Sequence, residues 1–255
     1  MEYYYRIKDT KTNKQYIGSK YGKDTNISLF WKDGGYLTSS ELIKHFEAYG
    51  KQMRAQGDVQ GIINAMTHLN ILEPSEARKD TLAYIYMSEG QYVQALNTIG
   101  IDVKVDDSDI AVEVKAMSLK AVKQPERALV HFNEMFKRNP SPELAYELAE
   151  LNLQLQKLDE ALKHINYGLA NAKDDMKRAY YEKQQPYQVD LKSAFMYLKA
   201  LQLFQQDRNN NIDAAVDILD DTLKASPNFN LVNLTKNELL RQKQIMQAQA
   251  AQPKQ

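Results

Sequence analysis

Four residues of this 255-residue chain stand one constant step apart: Ile62, Ala95, Ala128 and Ala161, each 33 positions after the last. A step of that length suits a helix-turn-helix unit repeated along the chain, with a small or apolar side chain where the two helices of a unit cross. One such unit cannot bury its apolar face alone, so neighbours stack into an array of helix pairs. Other residues keep the same register. Gly57-Asp58, Gly90-Gln91, Lys123-Gln124-Pro125 and Lys157-Leu158 fall at one repeated place, the turn inside a pair. Pro74, Pro140 and Pro227 stand where the second helix of a pair should close, since proline cannot continue a helix.

Ten glycines and seven prolines are few for this length, and long stretches after Glu41 lack both, which favours helix. Lys+Arg and Asp+Glu are both 33, so no global field points to nucleic acid or to an anionic membrane. Cysteine is absent, which excludes disulfides, thiolate metal sites and a cysteine nucleophile. No window approaches the roughly 18 apolar residues of a membrane span. The start, Met1 to Arg6, lacks the basic and apolar regions of a secretory signal, so the expected location is the cytoplasm.

The beginning of the chain has a different texture. Tyr3-Tyr4-Tyr5-Arg6-Ile7 and Gln15-Tyr16-Ile17-Gly18 flank a polar turn, Asp9 to Lys14, which predicts strand, turn and strand. Trp31 and Asp33-Gly34-Gly35-Tyr36 read as a loop, and Thr38-Ser39-Ser40-Glu41 as a helix start with hydroxyl caps. The organisation expected is a hairpin module over 1–40, a repeat array over 41–240 and a Gln/Ala-rich tail over 241–255. An insertion over 174–188, with Tyr180, Tyr181 and Tyr187 among charged residues, reads as an amphipathic extension. A last, longer pair follows from about Asp190 to Pro227, carrying Ala200, Ala215 and Leu219, with a capping helix to about Ala248.

The repeats resemble the tetratricopeptide repeat (TPR), a helix pair of about 34 residues. One unit carries Leu82-Ala83, Tyr86, Gly90, Tyr92 and Ala95; the next carries Ala116, Leu119, Ala128, Phe132 and Pro140. A third carries Leu148-Ala149, Leu158, Ala161 and Ile165, and an earlier one Tyr49-Gly50, Gly57-Asp58, Ile62, Met66 and Pro74. The resemblance implies a mainly α fold: a right-handed TPR-type solenoid of four to five helix pairs, preceded by a small β-hairpin/α module. It also implies a groove on the first helices. Mapped by repeat position, its residues are Arg54; then Asp80, Tyr84 and Met87; then Glu113, Met117 and Lys120; then Tyr146, Glu150 and Leu153. Asp80 and Tyr84 stand where a carboxylate-clamping TPR carries Lys and Asn, so capture of a peptide C-terminus is disfavoured.

Residues 1–50 carry a second resemblance. Tyr3-Tyr4-Tyr5 followed by Tyr16-Ile17-Gly18, then Ser19-Lys20-Tyr21-Gly22-Lys23, Leu29-Phe30-Trp31 and Tyr36-Leu37-Thr38, resembles the N-terminal part of a GIY-YIG nuclease domain of phage type. This implies metal-assisted phosphodiester hydrolysis, with Tyr5 and Tyr16 on the attacking water, Lys20 on the phosphate and Mg²⁺ as cofactor. The two resemblances meet inside one helix, which suggests a fusion, a composite gene or an engineered chimera. Elsewhere, His131 and His164 repeat at the 33-residue step, but no third ligand recurs with them, so no metal site is expected.

Two readings result. The first is a non-catalytic scaffold, without cofactor, that binds a protein or peptide in the groove. The alternative is a DNA-binding or DNA-cleaving nuclease module carried on a TPR array, whose partner would be nucleic acid. Neither involves a membrane.

Overall fold

The structure is a computed structural model and describes residues 2–8, 15–21 and 39–250. The chain divides into two compact units, Met1–Arg78 and Lys79–Gln255.

In the first unit, β1 (Glu2–Lys8) pairs antiparallel with β2 (Gln15–Tyr21). The register sets Tyr5 opposite Gly18, Tyr16 opposite Ile7 and Lys20 opposite Tyr3. The expected turn, and the loop around Trp31 and Asp33 to Tyr36, lie outside the described residues. Helix α1 (Ser39–Gln56) then turns at Gly57 into α2 (Val59–Leu72). Asp58 caps α2, its carboxylate accepting from the Gly61 amide at 2.9 Å. The close approach of the two helices differs by one residue from the expectation. Ile62, at the register position, is half-buried, while Gly61 beside it is buried. A Cβ on Gly61 would stand 2.4 Å from the Met53 side chain, so here glycine supplies the contact. Phe46 stacks on His68 across the same pair at 4.3 Å.

The second unit continues with α3 (Glu76–Ser88), α4 (Tyr92–Ile99), α5 (Asp109–Ala121), α6 (Pro125–Arg138), α7 (Pro142–Gln154) and α8 (Leu158–Asn171). After β3 (Lys177–Tyr180) and β4 (Tyr187–Asp190) come α9 (Leu191–Gln206), α10 (Ile212–Ala225) and α11 (Asn230–Ala250). Ala95, Ala128, Ala161 and Ala215 each occupy the fourth position of a second helix and are fully buried. The step also appears in the backbone. Positive φ occurs at Gly57 (70°), Gly90 (72°), Lys123 (59°) and Gln156 (57°), the same turn position in four successive pairs. Pro74, Pro140 and Pro227 each stand two residues beyond the last residue of a second helix.

Helix α4 is short, eight residues against fourteen in α6, yet the step survives because the connection after it is six residues longer than the one after α6. That connection is pinned from below. The Lys115 ammonium, with no exposed side-chain surface, donates to the Asp102 carbonyl at 2.8 Å and pairs with Asp107 at 2.6 Å. Burial works to raise the Asp107 pKa, but the Lys115 hydrogen bond and the Lys104 amide outweigh it and hold the carboxyl below its usual range. His131, also buried, places Nε2 2.9 Å from the Ile101 carbonyl.

The insertion is a β-hairpin and not the amphipathic extension expected there. Lys177 pairs with Asp190 and Tyr180 with Tyr187, and Val189 points into the core. Tyr180 and Tyr187 pack on Phe229 at the entry to α11, with ring centroids 4.8 and 6.4 Å from it. A two-stranded hairpin is marginal in water by itself, so these aromatic contacts are what hold it. Beneath it, α8 meets α9 at Gly168, where a Cβ would lie 1.9 Å from the Phe195 ring.

Candidate functional site

The 33-residue step sorts the exposed side of the first helices into rows. Ile110 and Glu143 form one row; Asp80, Glu113 and Tyr146 the next. Tyr84, Met117 and Glu150 form the third, and Met87, Lys120 and Leu153 the fourth. On α5, Ile110, Glu113, Met117 and Lys120 recur at helical spacing and so share one face. The salt bridges agree: Lys120 reaches from α5 to both Glu147 and Glu150 of α7.

The rows are not equally open. Tyr84 and Met117 are exposed, at 44% and 41%, and Glu113, Met87, Lys120 and Glu150 are half-buried. Asp80 is buried, and its carboxylate accepts from the Ser108 hydroxyl at 2.6 Å. Ser108 in turn caps α5 by accepting from the Ala111 amide at 3.0 Å, so Asp80 links α3 to the start of α5. Tyr146 and Leu153 are buried. Arg54 is exposed on α1 in the first unit. Tyr5, Tyr16 and Lys20 are placed in β1 and β2 by the register alone.

What closes the α7 end is the β3–β4 hairpin. The Arg178 guanidinium lies 3.7 Å over the Tyr146 ring and pairs with Glu147 at 2.9 Å, with Glu150 at 4.0 Å. The Tyr180 and Tyr146 hydroxyls are 2.9 Å apart. Glu147 is therefore shared by Lys120 and Arg178. Burial would raise its pKa, but the two cations hold it below the ordinary range. Lys120 shows the converse: burial pulls down, and Glu147 and Glu150 prevail to raise it. Burial pushes the Tyr146 phenol well up, so it stays a neutral hydrogen-bonding group.

Repeat register alone missed Arg178, Tyr180 and Glu147. The hairpin had a visible signal: Lys177 to Tyr180 and Tyr187 to Val189 flank a polar stretch ending in Pro186, which is strand, turn and strand. Among the described residues no cluster of three or more His, Asp or Glu side chains could hold a metal. His164 packs edge-on against Phe136 at 5.3 Å, and His131 is tied to its carbonyl. No described helix is long and apolar enough to cross a membrane.

Neither a family model nor a curated protein matches the sequence. Solved structures do. A tetratricopeptide repeat protein from Parabacteroides merdae superposes with a TM-score of 0.56 at 16% identity, over 78% of this chain and 72% of that one. YrrB, described as a TPR protein with an unusual peptide-binding site, gives 0.58 at 13% identity, over 79% and 98%. MamA gives 0.53 at 16%, over 74% and 93%. With its consecutive helix pairs on a 33-residue step, the chain has the fold of a TPR-type helical solenoid. At these identities the likeness defines the fold alone.

Proposed function

We propose that this protein is a non-catalytic scaffold that holds a peptide segment of a protein partner on the face of its first helices. The observation that carries this reading is the exposure of Tyr84 and Met117 at equivalent positions, one step apart on α3 and α5. Large apolar side chains at equivalent positions of successive first helices make a stripe that a segment can cover. YrrB, a fold neighbour with a peptide-binding site, supports the reading by analogy. A selection of displayed random peptides tests it. Binders should be recovered that lose affinity on Tyr84→Ala and Met117→Ala, while circular dichroism of both variants stays unchanged.

The alternative reading is a nuclease module that would use Tyr5 and Tyr16, which lie on the paired strands β1 and β2. It predicts Mg²⁺-dependent nicking of supercoiled plasmid that disappears in Tyr5→Phe or Tyr16→Phe. No nicking, with no salt-sensitive DNA binding, refutes it.

A further inference from the structure

Resting on that scaffold reading, we propose that the segment held on α3 and α5 is basic and apolar: large aliphatic or aromatic residues three apart, with lysine or arginine between and beside them.

The hairpin decides where such a segment can lie. Arg178 covers the Tyr146 ring and binds Glu147, so the α7 end of the face already has an occupant from the same chain. An incoming segment meets the open part instead, where Tyr84, Ile110 and Met117 are each between two and three fifths covered (44%, 44% and 41% exposed). Ile110 and Met117 are seven residues apart on one helix, about 10.5 Å at 1.5 Å per residue. An extended chain covers that distance in about three residues. Tyr84 holds the equivalent position one step earlier, on α3, and is likewise exposed, an aromatic ring available to the second anchor.

The charges on this face are unbalanced in one direction. Lys120 and Arg178 are spent on Glu147 and Glu150. Glu113, between Ile110 and Met117 on α5, forms no ion pair with any described residue, and neither does Glu143, one step on from Ile110. Glu113 also borders a cleft of about 210 Å³ whose lining joins an apolar floor of Val112, Met135 and Leu144 to the polar Asp109, Arg138 and Asn139. An apolar side chain fits such a floor, and a cation beside it meets the carboxylate. Arg138 in the cleft is paired with Asp109 and Glu134, as Lys120 and Arg178 are with Glu147 and Glu150, so an acidic segment finds each of these cations already paired. Partly exposed ion pairs add little affinity, so the carboxylates choose the segment and the apolar anchors hold it.

The test is selection of displayed random dodecapeptides on the full-length protein and, in parallel, on a Glu113→Lys/Glu143→Lys double variant. Glu143 is exposed and Glu113 half-buried, and circular dichroism verifies the fold. The expected pool is rich in Lys and Arg around aliphatic or aromatic residues. Its consensus peptide should bind the double variant about tenfold more weakly, and the variant's own pool should lose the basic bias. Recovery of acidic or uncharged peptides that still depend on Met117 and Tyr84 overturns the basic assignment and leaves the scaffold reading standing. Peptides indifferent to Tyr84→Ala and Met117→Ala, or no recovered peptides at all, overturn both.

Discussion

Replacing Gly168 by alanine should destabilise the second unit, although alanine is the better helix former. In an exposed helix interior the exchange gains about 0.8–1.0 kcal/mol from propensity. Here the new methyl would lie 1.9, 2.2 and 2.3 Å from three carbons of the Phe195 ring, far inside van der Waals contact. Phe195 is fully buried and meets Tyr146 edge-on at 5.5 Å, so the ring cannot swing aside without disturbing its neighbours. Overpacking of this kind costs typically 1–3 kcal/mol, occasionally more. With the propensity gain subtracted the net loss is about 0–2 kcal/mol, and the 1.9 Å approach puts this site at the upper end, about 2 kcal/mol, a fall in Tm of about 4–8 °C for a unit of this size. Thermal and urea unfolding followed by circular dichroism read it. Phe195→Leu should weaken the chain alone yet relieve part of the Gly168→Ala penalty in the double variant. An unchanged or raised Tm for Gly168→Ala would refute the close packing of α8 on α9.

Lys123 and Gln156 hold the left-handed turn conformation that glycine holds in the two preceding pairs, so Lys123→Gly or Gln156→Gly should stabilise by up to about 1 kcal/mol in urea unfolding; destabilisation argues against those turns. Lys115→Met leaves the Asp107 carboxylate buried without its cation and should cost about 3–5 kcal/mol. Amide exchange over residues 100–108 should accelerate with it, and a loss under about 1 kcal/mol counts against the pin. His131 and His164 are both held below the usual imidazole pKa by burial, so the unfolded chain takes up protons first as pH falls through 6.5. Stability should therefore be full above about pH 7 and decline as pH falls through 6.5. His131→Gln should flatten the slope, and a profile that rises toward acid refutes the assignment.

The array was legible because each repeat states its geometry locally: a small residue at the crossing, a left-handed turn, a proline after the second helix. Where a local device was moved by one residue, as from Ile62 to Gly61, the register still pointed to the right crossing. The shortness of α4 left no trace in the period, because residues removed from the helix reappear in its connection, and only the tertiary pin at Lys115 distinguishes the two arrangements. The site was legible only in part. Register placed Tyr146 and Leu153 among open positions, but what lies over them comes from outside the repeat. The partners of Tyr146, Arg178 and Tyr180, stand 32 and 34 residues further along, in an insertion that obeys no repeat rule. Asp80 was closed by a cap belonging to the following helix, again a partner invisible to the position itself.

The hairpin also changes how this half of the molecule should come apart. In a simple solenoid each repeat touches its neighbours alone, and unfolding can begin at an end and travel inward one unit at a time. Here Tyr180 and Arg178 grip α7, while the Tyr187 hydroxyl accepts from the Leu231 amide of α11 at 3.3 Å and the Asn228 side chain donates to the Gln188 carbonyl at 3.1 Å. Elements that would otherwise be next-nearest neighbours are thereby tied by one clasp. The stretch from α7 to α11 becomes a single cooperative block, and the fraying of its last helix is set against the loss of the whole block.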